Sequence, residues 1–340
     1  MKSKFITALC LLLATVTVFT ALQVRADQFA KLPLPSKLSL LGNKLVISMP
    51  AGSRVEGRGH DIMAAPEPST DETRVVFDRG KARLVIMANE AHALAGSDFS
   101  KNVKRVVNEW AKDKHQSFTV APNVISRNGL KLIVVMPNDG AAQSGEARLV
   151  TSSFVSGKDG TVQYVAIYAN PDAAKDWPGI SNLAGRIMET LAQGQSQSRL
   201  DARMVEIDHN LGLKVSLPER MMYVDQPGPD FHVSHFYQCR ELGEHPAEMG
   251  IFIGYYPSFH PKKDTKQQSG IILGQSVNWF ETKDGDECQL EALVHPRQHT
   301  DPTQELSVVL HIFLSGTDER DLTALKKVAE TLTLSAGKEK

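Results

Sequence analysis

The sequence lacks the short motifs by which many enzymes are recognised. Among its 340 residues no Gly-x-Ser-x-Gly, His-Glu-x-x-His, Cys-x-x-Cys or Gly-Lys-Ser/Thr string occurs. These strings support an activated serine, a zinc-bound water, a redox dithiol and a phosphate-binding loop, respectively. We therefore assign no catalytic residue and predict no cofactor. The sequence therefore favours a binding function over catalysis.

An excess of charge of one sign is also missing. The 38 Lys and Arg residues oppose 39 Asp and Glu residues, which gives a formal net charge of -1 at pH 7. Such a chain has no overall field that would attract nucleic acid, so no nucleic-acid partner is predicted. Charged residues at 23% and hydrophobic residues at 41% are typical of a globular protein.

One long apolar run is present, at the N-terminus. Lys2 and Lys4 precede the apolar residues 5–24, and Val24 and Ala26 supply the small residues of a cleavage site. This pattern predicts a signal peptide at residues 1–26 and a periplasmic or secreted mature protein without stable membrane insertion. An uncleaved membrane anchor stays open as an alternative, because the run is nearly long enough to span a bilayer.

Cysteine is scarce, but two of the three cysteines fall in the C-terminal half. Cys239 and Cys288 would both be exported with the mature chain. Two cysteines in an oxidising compartment are more often bonded than reactive, so the sequence predicts a disulfide between them. Such a bond would stabilise the protein by about 3–4 kcal/mol in the chain-entropy model.

Domain organisation follows from length and from a polar stretch. A chain of 340 residues exceeds the roughly 100–200 residues of one domain. Residues 194–203 are polar and contain Gly and Ser, which is typical of a linker. Similar apolar-periodic segments end with Glu189-Thr190-Leu191 before this linker and with Glu330-Thr331-Leu332 near the C-terminus. We predict an extended lead-in at 27–37, domains at 38–193 and 204–335, and a tail at 336–340.

Hydrophobic periodicity predicts strands and helices in both domains. The clearest helix begins near Ser97 or Asp98 and carries one apolar stripe. Among the strands that follow it, Asn128-Gly129 predicts a tight hairpin turn. In the second domain the matching place, residues 257–264, has Pro257 and Pro261 and no stripe. The predicted class is α+β, with two tandem αβ sandwich domains. Each is an antiparallel sheet with helices packed on it, and the second lacks one helix.

This order of elements resembles a known superfamily. A first strand that stops at Pro50 or Pro218, an inserted helix, an antiparallel run and a closing helix are similar to the PsbP/Mog1-like layout, which includes the DcrB-like proteins. The resemblance covers most of 38–193 and is weaker over 204–335. It implies a non-enzymatic binding, assembly or chaperone-like function. No functional residue of the superfamily can be assigned to a position of this chain.

Histidine is the one chemically notable residue of the C-terminal half. Imidazoles could bind zinc or copper there. However, His232 and His235 are three apart on a predicted strand and so point to opposite faces, and Pro296 opposes a helix that would align His295 with His299. No metal ligand is assigned. The histidines of this half are His209, His232, His235, His245, His260, His295, His299 and His311.

The sequence therefore predicts an exported binding or assembly protein of the cell envelope, with an envelope protein or a peptide as its partner. An exposed strand edge could accept an extended segment by strand addition. A metal-binding hydrolase that uses the histidines of the second domain is the alternative function.

Overall fold

A computed structural model describes residues 29–56, 72–114, 117–138, 147–228, 231–255, 257–259, 265–285, 287–296 and 308–335. The described residues fall into two compact units. The first comprises those within Met1–Ala91 and Ala95–Gln197, and the second those within His92–Leu94 and Ser198–Lys340.

Strands dominate both units, so the predicted α+β class is wrong. Strands make up 53% of the described residues and helices 17%, and the strands form four antiparallel sheets. The described residues contain three α-helices, α1 (Phe99–Lys114), α2 (Trp177–Glu189) and α3 (Glu319–Glu330), and a 3-10 helix at Ala173–Asp176. The fold is β-rich because each unit closes part of its core with a second, small sheet and not with helices alone.

The first unit contains a small and a large sheet. The small sheet has the order β1-β2-β11, and the large sheet runs β3-β4-β5-β10-β9-β8-β6, with β7 also paired to β8. The strands are β1 (Ser36–Leu40), β2 (Leu45–Met49), β3 (Arg54–Glu56), β4 (Glu72–Arg79), β5 (Ala82–Leu94), β6 (Phe118–Val120), β7 (Ile125–Arg127), β8 (Leu130–Pro137), β9 (Arg148–Ser156), β10 (Thr161–Ala169) and β11 (Ala192–Gln193).

The core of the first unit lies between these two sheets and α2. Ile47 of β2, Val165 of β10 and Leu183 of α2 are all fully buried in one cluster. Helix α1 packs on the opposite face of the large sheet, where the Trp110 ring lies 5.3 Å from that of Phe154. The large sheet is therefore covered on both faces.

The second unit also has a small and a large sheet. Their orders are β12-β13-β22 and β14-β15-β17-β21-β20-β19-β18. The strands are β12 (Arg203–Asp208), β13 (Leu213–Leu217), β14 (Met221–Pro227), β15 (His232–Gln238), β16 (Arg240–Glu241), β17 (Ala247–Gly254), β18 (Lys266–Ile272), β19 (Gln275–Asp284), β20 (Glu287–Val294), β21 (Val309–Gly316) and β22 (Thr333–Leu334). Phe236, Ile251 and Ile312 of the large sheet are fully buried against Leu325 of α3.

The two units have the same strand order. In each, the first two strands and the last form the small sheet. Numbered along the chain, with β7 and β16 set aside, the strands of each large sheet follow the order 1-2-3-7-6-5-4. Helix α1 connects the third strand to the fourth in the first unit. In the second unit this connection includes Pro257–Phe259, which is not helical.

A threonine after the closing helix is used identically in both units. The Thr190 hydroxyl accepts from the Ser48 backbone amide at 2.8 Å and donates to the Ile187 carbonyl at 2.7 Å. Thr331 makes the same two bonds, to the amide of Ser216 at 3.0 Å and the carbonyl of Val328 at 2.6 Å. Each threonine thus ends its helix and fixes the helix to the second strand of the small sheet.

The residues that follow β11 are hydrogen-bonded within the first unit. The Gly194 amide donates to the Lys44 carbonyl at 2.8 Å, and the Ser196 amide donates to the Asn43 carbonyl at 3.0 Å. The Gln193 side chain accepts from the Lys158 amide at 3.2 Å. The start of the predicted linker 194–203 is therefore held in place by backbone hydrogen bonds.

Candidate functional site

The large sheet of the second unit carries an array of rings on the face opposite its core. Side chains alternate between the two faces of a strand. Because Phe236 is in the core, His235 and Tyr237 lie on the other face, and Ile312 places His311 and Phe313 there in the same way. We define the aromatic face as Phe231, His235, Tyr237, Phe252, Phe259, Phe280, His311 and Phe313.

Pairing register brings these rings together. His235 lies opposite Gly250, which lies opposite Phe313, so the three form one row across β15, β17 and β21. The rings of His235 and Phe313 are 6.1 Å apart, and those of His311 and Phe313 are 5.7 Å apart. Edge and tilted contacts at such distances are favourable for aromatic side chains.

Both ends of the array extend beyond this row. Phe259 lies 5.1 Å from His311 and 5.4 Å from Phe280. At the other end the Phe231 ring stacks on Phe252 at 5.6 Å and is 39% exposed. The array therefore reaches from a half-buried centre to a solvent-exposed corner.

Two glycines make room for the rings. A Cβ at Gly250 would overlap the Phe313 ring, and one at Gly254 would lie 2.7 Å from the Phe252 ring. The rings of Phe313 and Phe252 thus lie over bare backbone.

Two histidine–carboxylate pairs are the polar part of the aromatic face. His235 Nδ1 lies 2.7 Å from Glu248 Oε1, and His311 Nε2 lies 3.0 Å from Glu291 Oε2. None of the positions that β15, β17, β19, β20 and β21 turn to this face holds a lysine or an arginine. On these five strands, Glu248 and Glu291 therefore lie beside histidines and beside no lysine or arginine.

A second polar cluster lies at the edge strand β14, on the core side. His232 Nε2 contacts Asp225 Oδ1, and the Ser234 hydroxyl is 3.2 Å from the same nitrogen. In a serine hydrolase the serine and the acid contact different nitrogens of the imidazole. Ser234 is also fully buried, so this cluster does not form an activated nucleophile.

The electrostatics of this cluster indicate a structural role. The hydrogen bond with Asp225 is the main cause that raises the pKa of His232. Burial raises the pKa of Tyr223 to about 12. The raised pKa values favour the charged form of His232 and the protonated form of Tyr223. Both forms are expected in a hydrogen-bond network whose members are satisfied.

A cleft of about 370 Å³ lies between α3 and the strands β18, β19 and β20. Its central polar groups pair with one another: Lys266 lies 2.8 Å from Glu281, and Gln268 donates to Glu281 at 3.0 Å. Lys266 is the main cause that lowers the pKa of Glu281. The charged groups at the centre of the cleft therefore neutralise each other and leave no net charge there to attract a charged ligand.

Comparisons with known proteins leave the family open. No family model and no curated protein sequence matches the chain. The crystal structure of the Tle4-Tli4 complex is 11% identical over 89% of this chain and 99% of that chain, with a TM-score of 0.23. The binding domain of botulinum neurotoxin DC in complex with rat synaptotagmin II is 10% identical with the same coverage and a TM-score of 0.11. Likenesses this weak support no argument about fold or function.

The histidines considered as metal ligands are kept apart by the fold. His232 and His235 lie on opposite faces of β15, as their spacing predicts, and each is paired with a different carboxylate. Within the described residues no group of three or more His, Cys, Asp and Glu side chains could hold a metal ion. His260 and His299 lie outside the described residues.

The structure does not contain the predicted disulfide. Cys239 and Cys288 are both thiols. Cys288 lies opposite Gly316 on β21, and β17 separates β21 from β15, the strand that Cys239 follows. Three inter-strand spacings of about 4.8 Å place the two residues about 14 Å apart, and a disulfide requires Cα atoms within about 7 Å.

The predicted signal peptide at residues 1–26 and the tail at 336–340 lie outside the described residues. In the parts of the chain that the structure describes, no helix has the length and apolar character needed to cross a membrane.

The aromatic face leaves a signal in the sequence that hydrophobic periodicity alone does not reveal. Ring-bearing residues alternate with core residues in His235-Phe236-Tyr237 and in His311-Ile312-Phe313, and Phe252 stands between Gly250 and Gly254. A search for rings at every second position of a strand would have found the first two of these segments.

Proposed function

We propose that the chain is an exported protein of the cell envelope that binds another protein and catalyses no reaction. The aromatic face is the observation that carries this proposal. Aromatic side chains are enriched at protein interfaces, where they supply a large contact area at low entropic cost. The exposed corner of the face, where Phe231 is 39% exposed, offers such a side chain to a partner.

The chemistry of the described residues favours binding over catalysis. The buried Ser234 and the carboxylate-paired His235 and His311 are satisfied by neighbours within the sheet. A catalytic site instead needs groups that converge on a reacting atom. The proposal is also consistent with the resemblance to the PsbP/Mog1-like superfamily, which stays a prediction.

Capture with matched variants tests the proposal. Mature protein, Phe231→Ala and Met204→Ala are immobilised, exposed to an envelope extract of the source organism, cross-linked and analysed by mass spectrometry. Met204 on β12 is 58% exposed and lies outside the aromatic face, so its variant controls for the loss of any exposed apolar side chain.

We expect one partner that wild type and Met204→Ala retain equally and that Phe231→Ala retains at least about ten-fold less, as for an interface hot spot. Equal retention by all three proteins would show that the aromatic face is not the binding surface. A mature N-terminus at Asp27 in protein isolated from cells checks the export part of the proposal.

A further inference from the structure

We infer that two copies of this chain pair through β18, an edge strand of the large sheet in the second unit, in antiparallel register about Ser269. β18 has seven residues and lies at the end of the strand order, where its neighbour in the sheet is β19. An edge strand with unpaired backbone groups is a template for another strand. This inference does not depend on the protein partner proposed above, and its failure would leave that proposal standing.

The hairpin that joins β18 to β19 determines which backbone groups face outward. Its two loop residues, Leu273 and Gly274, have φ angles of 52° and 74°, as a type I′ turn requires. The closing pair of such a turn, Ile272 with Gln275, exchanges hydrogen bonds, and every second pair along the two strands does the same. The residues between these pairs turn their amides and carbonyls to the outer edge; they are Gln267, Ser269 and Ile271. Within the described part of the chain no backbone hydrogen bond reaches this edge.

The first unit interrupts the corresponding edge, and the second unit does not. In the first unit the partner of β8 at this edge is split into β6 and β7, three residues each, with Pro122 in the bend between them. Proline has no amide to donate and interrupts pairing at a sheet edge. β18 is continuous, contains no proline and carries Ile271, which is 61% exposed. The second unit therefore lacks the protection that the first unit has.

The other edge of the same sheet is less open to pairing. β14 ends at Pro227, and the Met221 carbonyl at its start accepts from the Arg203 side chain at 3.5 Å. The amide of Arg220, the residue before β14, donates to the Leu200 carbonyl at 2.7 Å. Of the two edges, β18 thus offers the longer row of free backbone groups.

The residues of β18 fit a second copy of the same strand. About an axis at Ser269, Ile271 faces Gln267 of the partner subunit, and Ser269 faces its own equivalent. Each of these outward pairs would exchange two backbone hydrogen bonds. The single charged residue of the strand, Lys266, lies 2.8 Å from Glu281 of its own sheet. The two copies of this lysine would be about 20 Å apart, so they do not oppose each other. Because the contact is symmetric, one interface covers the free edges of both chains.

Sedimentation velocity of the mature protein over a range of concentrations tests the inference. A contact of one strand per chain is small, so we expect a dimer that dissociates on dilution. Ser269→Pro removes the amides of the central pair and costs β18 no bond to β19, because these amides point outward. The matched control, Ser269→Ala, keeps them. We expect Ser269→Pro to raise the Kd of the dimer at least about ten-fold and Ser269→Ala to change it less than about two-fold.

A charge swap tests the register. Ser269→Lys and Ser269→Glu each place like charges opposite each other, so each should weaken the dimer several-fold. An equal mixture of the two variants should restore dimer formation, since opposite charges then face each other, and this recovery also shows that both variants are folded.

Four outcomes overturn the inference. They are a wild-type protein that stays monomeric, an effect of Ser269→Pro no larger than that of Ser269→Ala, a mixture of the charge variants that does not recover, and a monomer whose captured envelope partner is lost with Ser269→Pro. The last outcome would assign β18 to a different chain and leave the proposed binding function standing.

Discussion

Replacing either member of the Lys44–Glu90 ion pair should destabilise the first unit, and by unequal amounts. Lys44 Nζ lies 2.7 Å from Glu90 Oε2, and the two side chains are 13% and 0% exposed. Gln163 Nε2 donates to Glu90 at 3.2 Å and to the Thr161 hydroxyl at 2.7 Å. Burial is the main cause that raises the pKa of Glu90, and Lys44 opposes it.

The magnitudes follow from what each change leaves behind. Lys44→Met leaves a fully buried carboxylate without its cation, a change that costs about 3–5 kcal/mol. Glu90→Gln leaves an ammonium that can reach water, with a cost of about 1–3 kcal/mol. The double variant leaves no buried charge, so we expect it to lose less stability than Lys44→Met alone.

The pH dependence has a definite sign. A carboxyl with a higher pKa in the folded than in the unfolded state binds its proton more tightly when folded. The folded state is therefore favoured at low pH and loses this advantage as the pH rises through the folded pKa. Without Lys44 the pKa of Glu90 rises further, so the cost of Lys44→Met should be larger at pH 8 than at pH 5.

Amide hydrogen exchange followed by mass spectrometry measures these costs for the first unit alone, on peptides from β5 and β10. Wild type, both single variants and the double variant are compared at pH 5, 7 and 8. Costs that simply add in the double variant would show that the two charges do not interact. A Lys44→Met protein no less stable than Glu90→Gln would refute the argument from unequal burial.

Three further outcomes are expected. Thr190→Val and Thr331→Val each leave a strand amide without its acceptor, so each should cost about 1–3 kcal/mol in urea unfolding, and a loss in only one unit would contradict their equivalent roles. Because the pKa of His232 is raised in the folded state, the stability that this histidine contributes should be full below about pH 6.5 and lost as the pH rises through the folded pKa. Asp225→Asn should flatten this pH dependence of the free energy of unfolding. A pH dependence that Asp225→Asn leaves unchanged would argue against the His232–Asp225 pair. When the protein is denatured without reductant, an alkylating reagent should modify both Cys239 and Cys288. Unmodified cysteines in a protein 2 Da lighter than the dithiol form would show instead that the disulfide exists.

Long periodic segments were read correctly from the sequence. The stripe that predicts the first helix is buried in α1, and Asp98 accepts from the Lys101 amide at its N-terminus. Asn128 and Gly129 have φ angles of 51° and 82°, the positive values that the predicted hairpin requires. In these segments a single local pattern, the spacing of apolar residues or the Asn-Gly turn, is enough to predict the structure.

The fold class could not be read in this way because it depends on very short strands. β11 and β22 have two residues each, so neither shows a period, yet they complete the two small sheets. The disulfide prediction was wrong for a related reason: register determines which cysteines meet, and the spacing along the chain does not reveal it. The aromatic face likewise depends on five strands that are distant in sequence.

The small sheets join the beginning of each unit to its end. Val46 of β2 pairs with Ala192, and Lys214 of β13 pairs with Thr333. During synthesis, the first unit can therefore seal its core only after about 150 residues have followed its opening hairpin out of the ribosome. Contacts of such high sequence separation slow folding. The nascent first unit therefore stays open until its last strand, β11, has been made.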